Sequence, residues 1–217
     1  MTAATMFITT ASIALSLTAL VAAQEDKPMS PTGTAATQVL GKWVKPAGRG
    51  AFTLGGENYE GGKWIEITYG RPLKRGRNLW GSGANYGKDA LVGTPIWRAG
   101  ANVTTRLKTE VPLVINGKTI AAGEYSVFID LKENNWTFVL STWPAQAKYD
   151  PNNKDALWGS YFYTPNKDVL RVPMKLEALP VAIEQLTWEF VDMTGNGGTI
   201  AIVWDKMMAS VRFNVGT

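Results

Sequence analysis

The sequence predicts an all-β fold: one domain, built as an antiparallel β-sandwich of jelly-roll or immunoglobulin-like type. Three observations predict it. Beyond Gly62 apolar and polar residues alternate with period two, the pattern of a strand with one buried face. Turn-forming pairs such as Asn116-Gly117, Asn134-Asn135 and Gly195-Asn196 punctuate the alternating runs. No segment sustains the 3.6-residue period of an amphipathic helix. At 217 residues and 45% hydrophobic composition, the chain has enough apolar surface for one sizeable core.

The elements follow in order. Residues 1–23 read as a signal peptide. Met6 to Ala23 carry no charge, the apolar run from Ala11 to Ala23 is short for a membrane span, and Val21 and Ala23 stand three and one residues before a cut at Gln24. Residues 24–38 are polar and contain Pro, Gly and Thr, which predicts a flexible lead-in to a sandwich domain over 39–217. The six glycines between Gly48 and Gly62 predict a loop or a loosely paired hairpin. In Lys63–Tyr69, Ile65, Ile67 and Tyr69 share one face, opposite Trp64, Glu66 and Thr68. Val103–Thr109 alternates in the same way. Val111–Ile115 and Lys118–Ile120 flank Asn116-Gly117, whose two residues suit the positive φ values of a type I′ hairpin turn. Tyr125–Leu131 and Trp136–Leu140 come next. Further strands are predicted at Trp158–Tyr163, Val169–Leu176, Gln185–Asp192, Thr199–Trp204 and Val211–Val215, with one short helical turn near Ala209.

Composition excludes much chemistry. The chain has no Cys and no His, hence no disulfide, thiol nucleophile, thiolate zinc site, imidazole base or Ser-His-Asp triad. Phosphate and dinucleotide motifs fail as well. Gly117-Lys118-Thr119 lies in a hairpin with Pro112 where a P-loop needs Gly, and Gly81, Gly83 and Gly87 miss the dinucleotide spacing. Lys154 occupies a ligand position in the nearest approach to a calcium loop, Asp150 to Asp155. No cofactor and no metal is expected. The net charge of +4 is mild, and the basic cluster Arg71, Lys74, Arg75 and Arg77 has no nucleic-acid motif beside it, so no nucleic-acid partner is expected. Once the signal peptide is cleaved, no transmembrane segment is expected either.

One constellation stands out. Tyr69-Gly-Arg-Pro-Leu-Lys-Arg-Gly-Arg-Asn-Leu-Trp-Gly81 follows a predicted strand, and Pro95-Ile-Trp-Arg-Ala-Gly-Ala-Asn102 leads into the next. Arginine offers a planar fork for carboxylate or phosphate and stacks on indole. Most of the nine Trp fall in or beside predicted strands and belong to the core on this reading.

These blocks carry a resemblance. Tyr69-x-Arg-Pro-x-x-Arg-Gly-Arg-x-x-Trp-Gly81, Trp97-Arg-x-Gly-Ala-Asn102, Gly117-Lys118, Ala122-Gly-x-Tyr-Ser126, Trp158-Gly159 and Asp168-Val-Leu-Arg-Val172 resemble a family of exported bacterial proteins known as a domain of unknown function, number twenty-nine eleven. The resemblance spans nearly all of the chain after the signal peptide. It implies export and a β fold, and it brings no catalytic residue with it.

The reading that joins these observations is a non-catalytic periplasmic or secreted protein. It binds a small anionic or carbohydrate-like ligand, or an envelope partner, through Arg71, Arg77, Trp97, Arg98 and Asn102. Two alternatives stay open. One is an envelope polysaccharide hydrolase using paired carboxylates, Glu184 with Glu189 or Glu124 with Asp130. The other is a purely structural or assembly protein, in which Arg71 and Arg98 pair with an acid such as Glu66 or Asp168.

Overall fold

The computed structural model describes residues 30–45 and 56–216. The expected signal peptide and the first part of the expected lead-in lie outside these residues. Two antiparallel sheets form the body. The first runs β1 (Thr32–Val39), β4 (Lys63–Gly70), β5 (Arg106–Thr109), β8 (Gly123–Asp130), β9 (Thr137–Ser141) and β10 (Asp168–Pro173), in that spatial order. The second runs β11 (Lys175–Thr194), β12 (Gly197–Val215), β6 (Leu113–Ile115) and β7 (Lys118–Ile120). A separate ribbon pairs β2 (Lys42–Val44) with β3 (Asn58–Glu60). The only α-helix among the described residues is one turn, α1 (Lys88–Leu91), so no helix there is long and apolar enough to cross a membrane.

The alternation read from the sequence is what closes the sandwich. Ile65, Ile67, Val127, Ile129, Phe138 and Leu140 point inward from the first sheet and meet Leu186, Trp188, Ile200, Ile202, Val211 and Phe213 from the second in one core. The rings of Phe138 and Trp188 bridge the layers at 6.3 Å. Full burial of side chains this large contributes about 1.5–3 kcal/mol each relative to exposure. The Asn116-Gly117 hairpin forms as expected, with φ of 49° and 75°, and joins β6 to β7.

Four expectations need correction. Residues 32–38 are not part of a flexible lead-in: β1 pairs with β4 over its whole length, from Thr32 opposite Gly70 to Val39 opposite Lys63. Its small side chains give a weak apolar signal, and the backbone ladder holds it. Trp158–Tyr163 is a series of turns, because Gly159 and Phe162 both adopt positive φ, 63° and 65°. This segment covers the outer face of the first sheet, where Phe128 and Val139 form a second buried cluster with Leu157 and Tyr163. Ala209 lies in a strand and not in a helical turn. Finally, the separate strands expected after residue 174 are two long ones of 20 and 19 residues, forming a hairpin whose register shifts between Ala178 and Ile183 and again toward Thr187.

Candidate functional site

The Arg-Pro block and the Trp-Arg block meet at one end of the sandwich, where the chain crosses between sheets. After β4 the chain leaves the first sheet and pairs with the second. Lys74 N–H donates to the Glu184 carbonyl at 2.7 Å, and Leu186 N–H donates to the Pro72 carbonyl at 3.0 Å. Pro72 supplies only an acceptor here, which is the role its missing N–H permits. The second block enters from the other side. Trp97 and Ile129 exchange two backbone hydrogen bonds of 3.0 and 2.9 Å, so Trp97 extends the first sheet beside β8.

The two blocks cross almost backbone on backbone. Ala101 N–H donates to the Gly70 carbonyl at 3.2 Å, and a Cβ on Gly70 would stand 2.0 Å from the Ala101 carbonyl oxygen. Only glycine fits there. Ala99 and Asn102 turn the chain with positive φ, 51° and 59°, a conformation that Asn tolerates better than Ala. The Trp158-Gly159 turn closes the far side. Thr104 Oγ1 lies 2.9 Å from the carbonyl oxygens of both Leu157 and Gly159, and Ser160 Oγ lies 2.9 Å from Thr94 Oγ1.

The five residues named from the sequence take different places. Trp97 is 1% exposed and belongs to a cluster with Trp80, Trp136 and Trp204, stacked on Trp204 at 6.1 Å. Arg77 is exposed; its Nε and Nη2 donate to the Lys74 and Leu73 carbonyls at 3.0 and 2.6 Å, and its guanidinium lies 5.6 Å from the centre of the Trp204 ring. Asn102 is exposed in its turn. Arg71 runs its stem across β1, where a Cβ on Gly33 would meet its Cδ at 2.2 Å, and its buried Nε has no acceptor. Arg98 is mostly buried beneath Gly159, whose added Cβ would lie 2.9 Å from Arg98 Cδ. Its Nε also lacks an acceptor, and no carboxylate pairs with it among the described residues. Burial pushes the Arg98 pKa down, and proximity to Tyr161 only partly offsets this.

Arg77, Trp97 and Arg98 line one small cavity of about 60 Å³ with Pro72, Ala101 and Trp204. Pro72, Arg77 and Ala101 also line an adjoining cavity of about 320 Å³ that reaches Ser30 and Arg75. Arg71 flanks the pair through Pro72 and is in neither lining; nor is Asn102. Asp89 also lines the smaller cavity, without an ion pair to either guanidinium. The family model described as protein of unknown function, DUF2911, matches residues 56–213, which include every one of these side chains except Ser30. The chain belongs to this family. No curated protein and no solved structure matched it.

In this DUF2911 chain four of the acids named from the sequence have structural partners, and Glu189 and Glu66 have none among the described residues. Glu124 pairs with Arg106 at 2.8 Å, Asp130 and Asp168 both pair with Arg171, and Glu184 Oε1 accepts the Arg75 amide at 2.7 Å. The acids offered for Arg71 and Arg98 do not reach them, since Asp168 is taken by Arg171 and no ion pair joins Glu66 to either. Glu177 and Asp192 line a common shallow pocket, but with Lys175 and Arg212 and no Trp. No cluster of three or more metal-ligating side chains occurs among the described residues. Two parts of the site escaped the sequence reading. Trp204 comes from β12, far along the chain, and nothing local marked it. Gly159 was legible as part of Trp158-Gly159, but only its close approach to the Arg98 stem shows that it roofs Arg98.

Proposed function

We propose that this chain is a non-catalytic, exported binding protein, whose joined cavities beside Arg77 and Arg98 take a small anionic ligand bearing a carboxylate or phosphate. The observation that carries the reading is Arg98: a mostly buried arginine whose Nε has no acceptor and whose guanidinium forms no ion pair among the described residues. Burying a cation without a partner costs stability, and native proteins ordinarily pair such groups. An anion entering from the Arg77 side supplies the missing partner, and the planar fork suits two-point capture of carboxylate or phosphate. Arg71, with its own orphaned Nε, adds positive potential at the rim. The charge-free, small-residue segment at residues 6–23 and the family resemblance support the reading of export.

Thermal unfolding and calorimetric titration with inorganic phosphate, citrate and glucuronate test this reading. At about a hundredfold excess over Kd, a ligand that binds only the folded state stabilises it by about 2.7 kcal/mol. Arg98→Gln should remove that stabilisation. In the absence of anion, the same substitution should leave the melting point unchanged or raise it by about 2–4 °C per kcal/mol of relieved burial cost. A variant that melts well below the wild type, together with no response to any of the three anions, would assign Arg98 to structure and overturn the proposal.

A further inference from the structure

A further cavity of about 550 Å³ opens where the β1–β2 corner meets the tip of the β11–β12 hairpin, and it is lined by different chemistry. Leu40 N–H donates to the Gly195 carbonyl at 3.0 Å and fixes the corner to the tip. Strand register then sets the walls. Gln38 on β1 stands opposite Trp64 on β4, and Trp43 on β2 stands opposite Tyr59 on β3. Trp43 is 65% exposed and Trp64 44%, unlike the buried indoles of the core. Trp64 alternates with Ile65 and Ile67, so it lies on the face with Glu66 and Thr68. An aromatic on the polar face of a strand was the sequence signal for this site.

The walls are fixed before any ligand arrives. Tyr59 Oη accepts the Gly41 N–H at 2.8 Å, and the Tyr59 ring holds Trp43 edge-on at 5.2 Å. Gly41 and Gly62 make the room: a Cβ on Gly41 would lie 2.4 Å from the Tyr59 ring, and one on Gly62 would lie 2.7 Å from Gln38 Oε1. The Gln38 amide makes no hydrogen bond among the described residues, which leaves two donors and an acceptor free beside the rings. Among the described residues no charged side chain lines the cavity.

From this we infer that the Trp43–Trp64 cavity is a binding site for a neutral oligosaccharide, separate from the anion site and independent of it. The chemistry selects the class. Indole faces cover the C–H face of a pyranose ring, and the free amide meets its equatorial hydroxyls. An anion finds no cation among the described lining residues. A purely apolar ligand would bury the Gln38 amide without partners, a loss of about 1–3 kcal/mol. The volume falls within the range of about 300–1,000 Å³ typical of small-ligand sites.

The test is a titration of the full chain with cellotetraose, maltotetraose and chitotetraose, followed by tryptophan emission and by indole N–H cross-peaks in nitrogen-15 spectra. At least one tetrasaccharide should give a saturable change. The cross-peaks of Trp43 and Trp64 should move while those of buried Trp97, Trp136 and Trp188 stay. Trp64→Thr, an exposed strand position where Thr is well suited, should weaken binding at least tenfold, and Gln38→Ala at least threefold. Arg98→Gln should leave it unchanged, so failure here and failure at the anion site are read separately. The inference is overturned if all three tetrasaccharides are without saturable effect, if only core indoles respond, or if both variants bind as the wild type does. It is equally overturned if sedimentation shows a dimer that Trp64→Thr dissociates, since the aromatic patch would then serve a second copy of the chain.

Discussion

Arg171 and Arg98 are the same side chain in opposite circumstances. Arg171, on β10, donates to Asp168 at 2.9 Å and to Asp130 at 2.5 Å, and its Nη1 lies 3.2 Å from the Tyr163 hydroxyl. Its pKa is raised, because these partners outweigh the opposing effect of burial. Arg98 sits under the Gly159 turn without an ion pair among the described residues, and burial lowers its pKa. The first arginine is matched by its surroundings and the second is not. The proposed anion site rests on this contrast between a guanidinium neutralised twice over at one sheet edge and another left without an ion pair in a cavity.

The largest effect expected from breaking this comparison comes from the crossing that places Arg98. In Gly70→Ala the new Cβ would fall 2.0 Å from the Ala101 carbonyl oxygen, a backbone atom that cannot swing aside. Overpacking of this kind costs up to about 3 kcal/mol, occasionally more. Urea unfolding should show that loss. Wild-type stability in Gly70→Ala would mean that the two blocks do not need to cross so closely. Next comes Arg171→Ala. It strands Asp168, whose side chain is 6% exposed, beside the Tyr163 hydroxyl. Removing one partner of a fully buried pair costs about 3–5 kcal/mol. Arg171 is itself 38% exposed and so partly screened, which brings the expected loss to about 2 kcal/mol. A milder change than Arg98→Gln produces would reverse the assignment of the two arginines.

How much of this was legible in the sequence depends on which faces a strand buries. Lys63–Tyr69 and the Asn116-Gly117 hairpin were readable because one face is core and the other polar. The β11–β12 hairpin read as several short strands because its register shifts interrupt the alternation near Ile183 and Thr187. Trp158–Tyr163 is rich in aromatic residues and so resembles a strand in sequence, yet only Tyr163 joins the cluster around Phe128 and Val139, while Tyr161 and Phe162 are exposed. The candidate site was half legible. Two blocks rich in Arg and Trp announced themselves, yet their roles separate only in three dimensions. Trp97 goes to the core, Arg77 to carbonyls and the Trp204 ring, and Asp168 to Arg171, three residues along its own strand. No spacing rule dictates that last pairing. The Trp43–Trp64 cavity was less legible still, because it joins β1, β2, β3, β4 and the distant Thr194-Gly195 turn.

The smallest effect concerns the proton that the Arg171 cluster holds. The Tyr163 hydroxyl donates to Asp168 Oδ2 at 2.6 Å. Burial, then this hydrogen bond, then the Asp168 charge raise its pKa well above the usual 10.0, with Arg171 pulling the other way. The folded protein therefore keeps a proton that the unfolded chain gives up. A raised folded-state pKa contributes stability that is whole below pH 10 and is lost as the pH climbs from there through the folded value. The slope is about 1.4 kcal/mol per pH unit for one proton. Tyr86 and Tyr125, both raised chiefly by burial, act in the same direction. Tyr163→Phe should cost about 1 kcal/mol at neutral pH for the lost hydrogen bond, and should flatten the decline above pH 10 by one proton's share. Urea midpoints measured from pH 8 to 11 would show both. An unaltered slope would mean that the Tyr163 phenol ionises in the folded protein as an exposed one does.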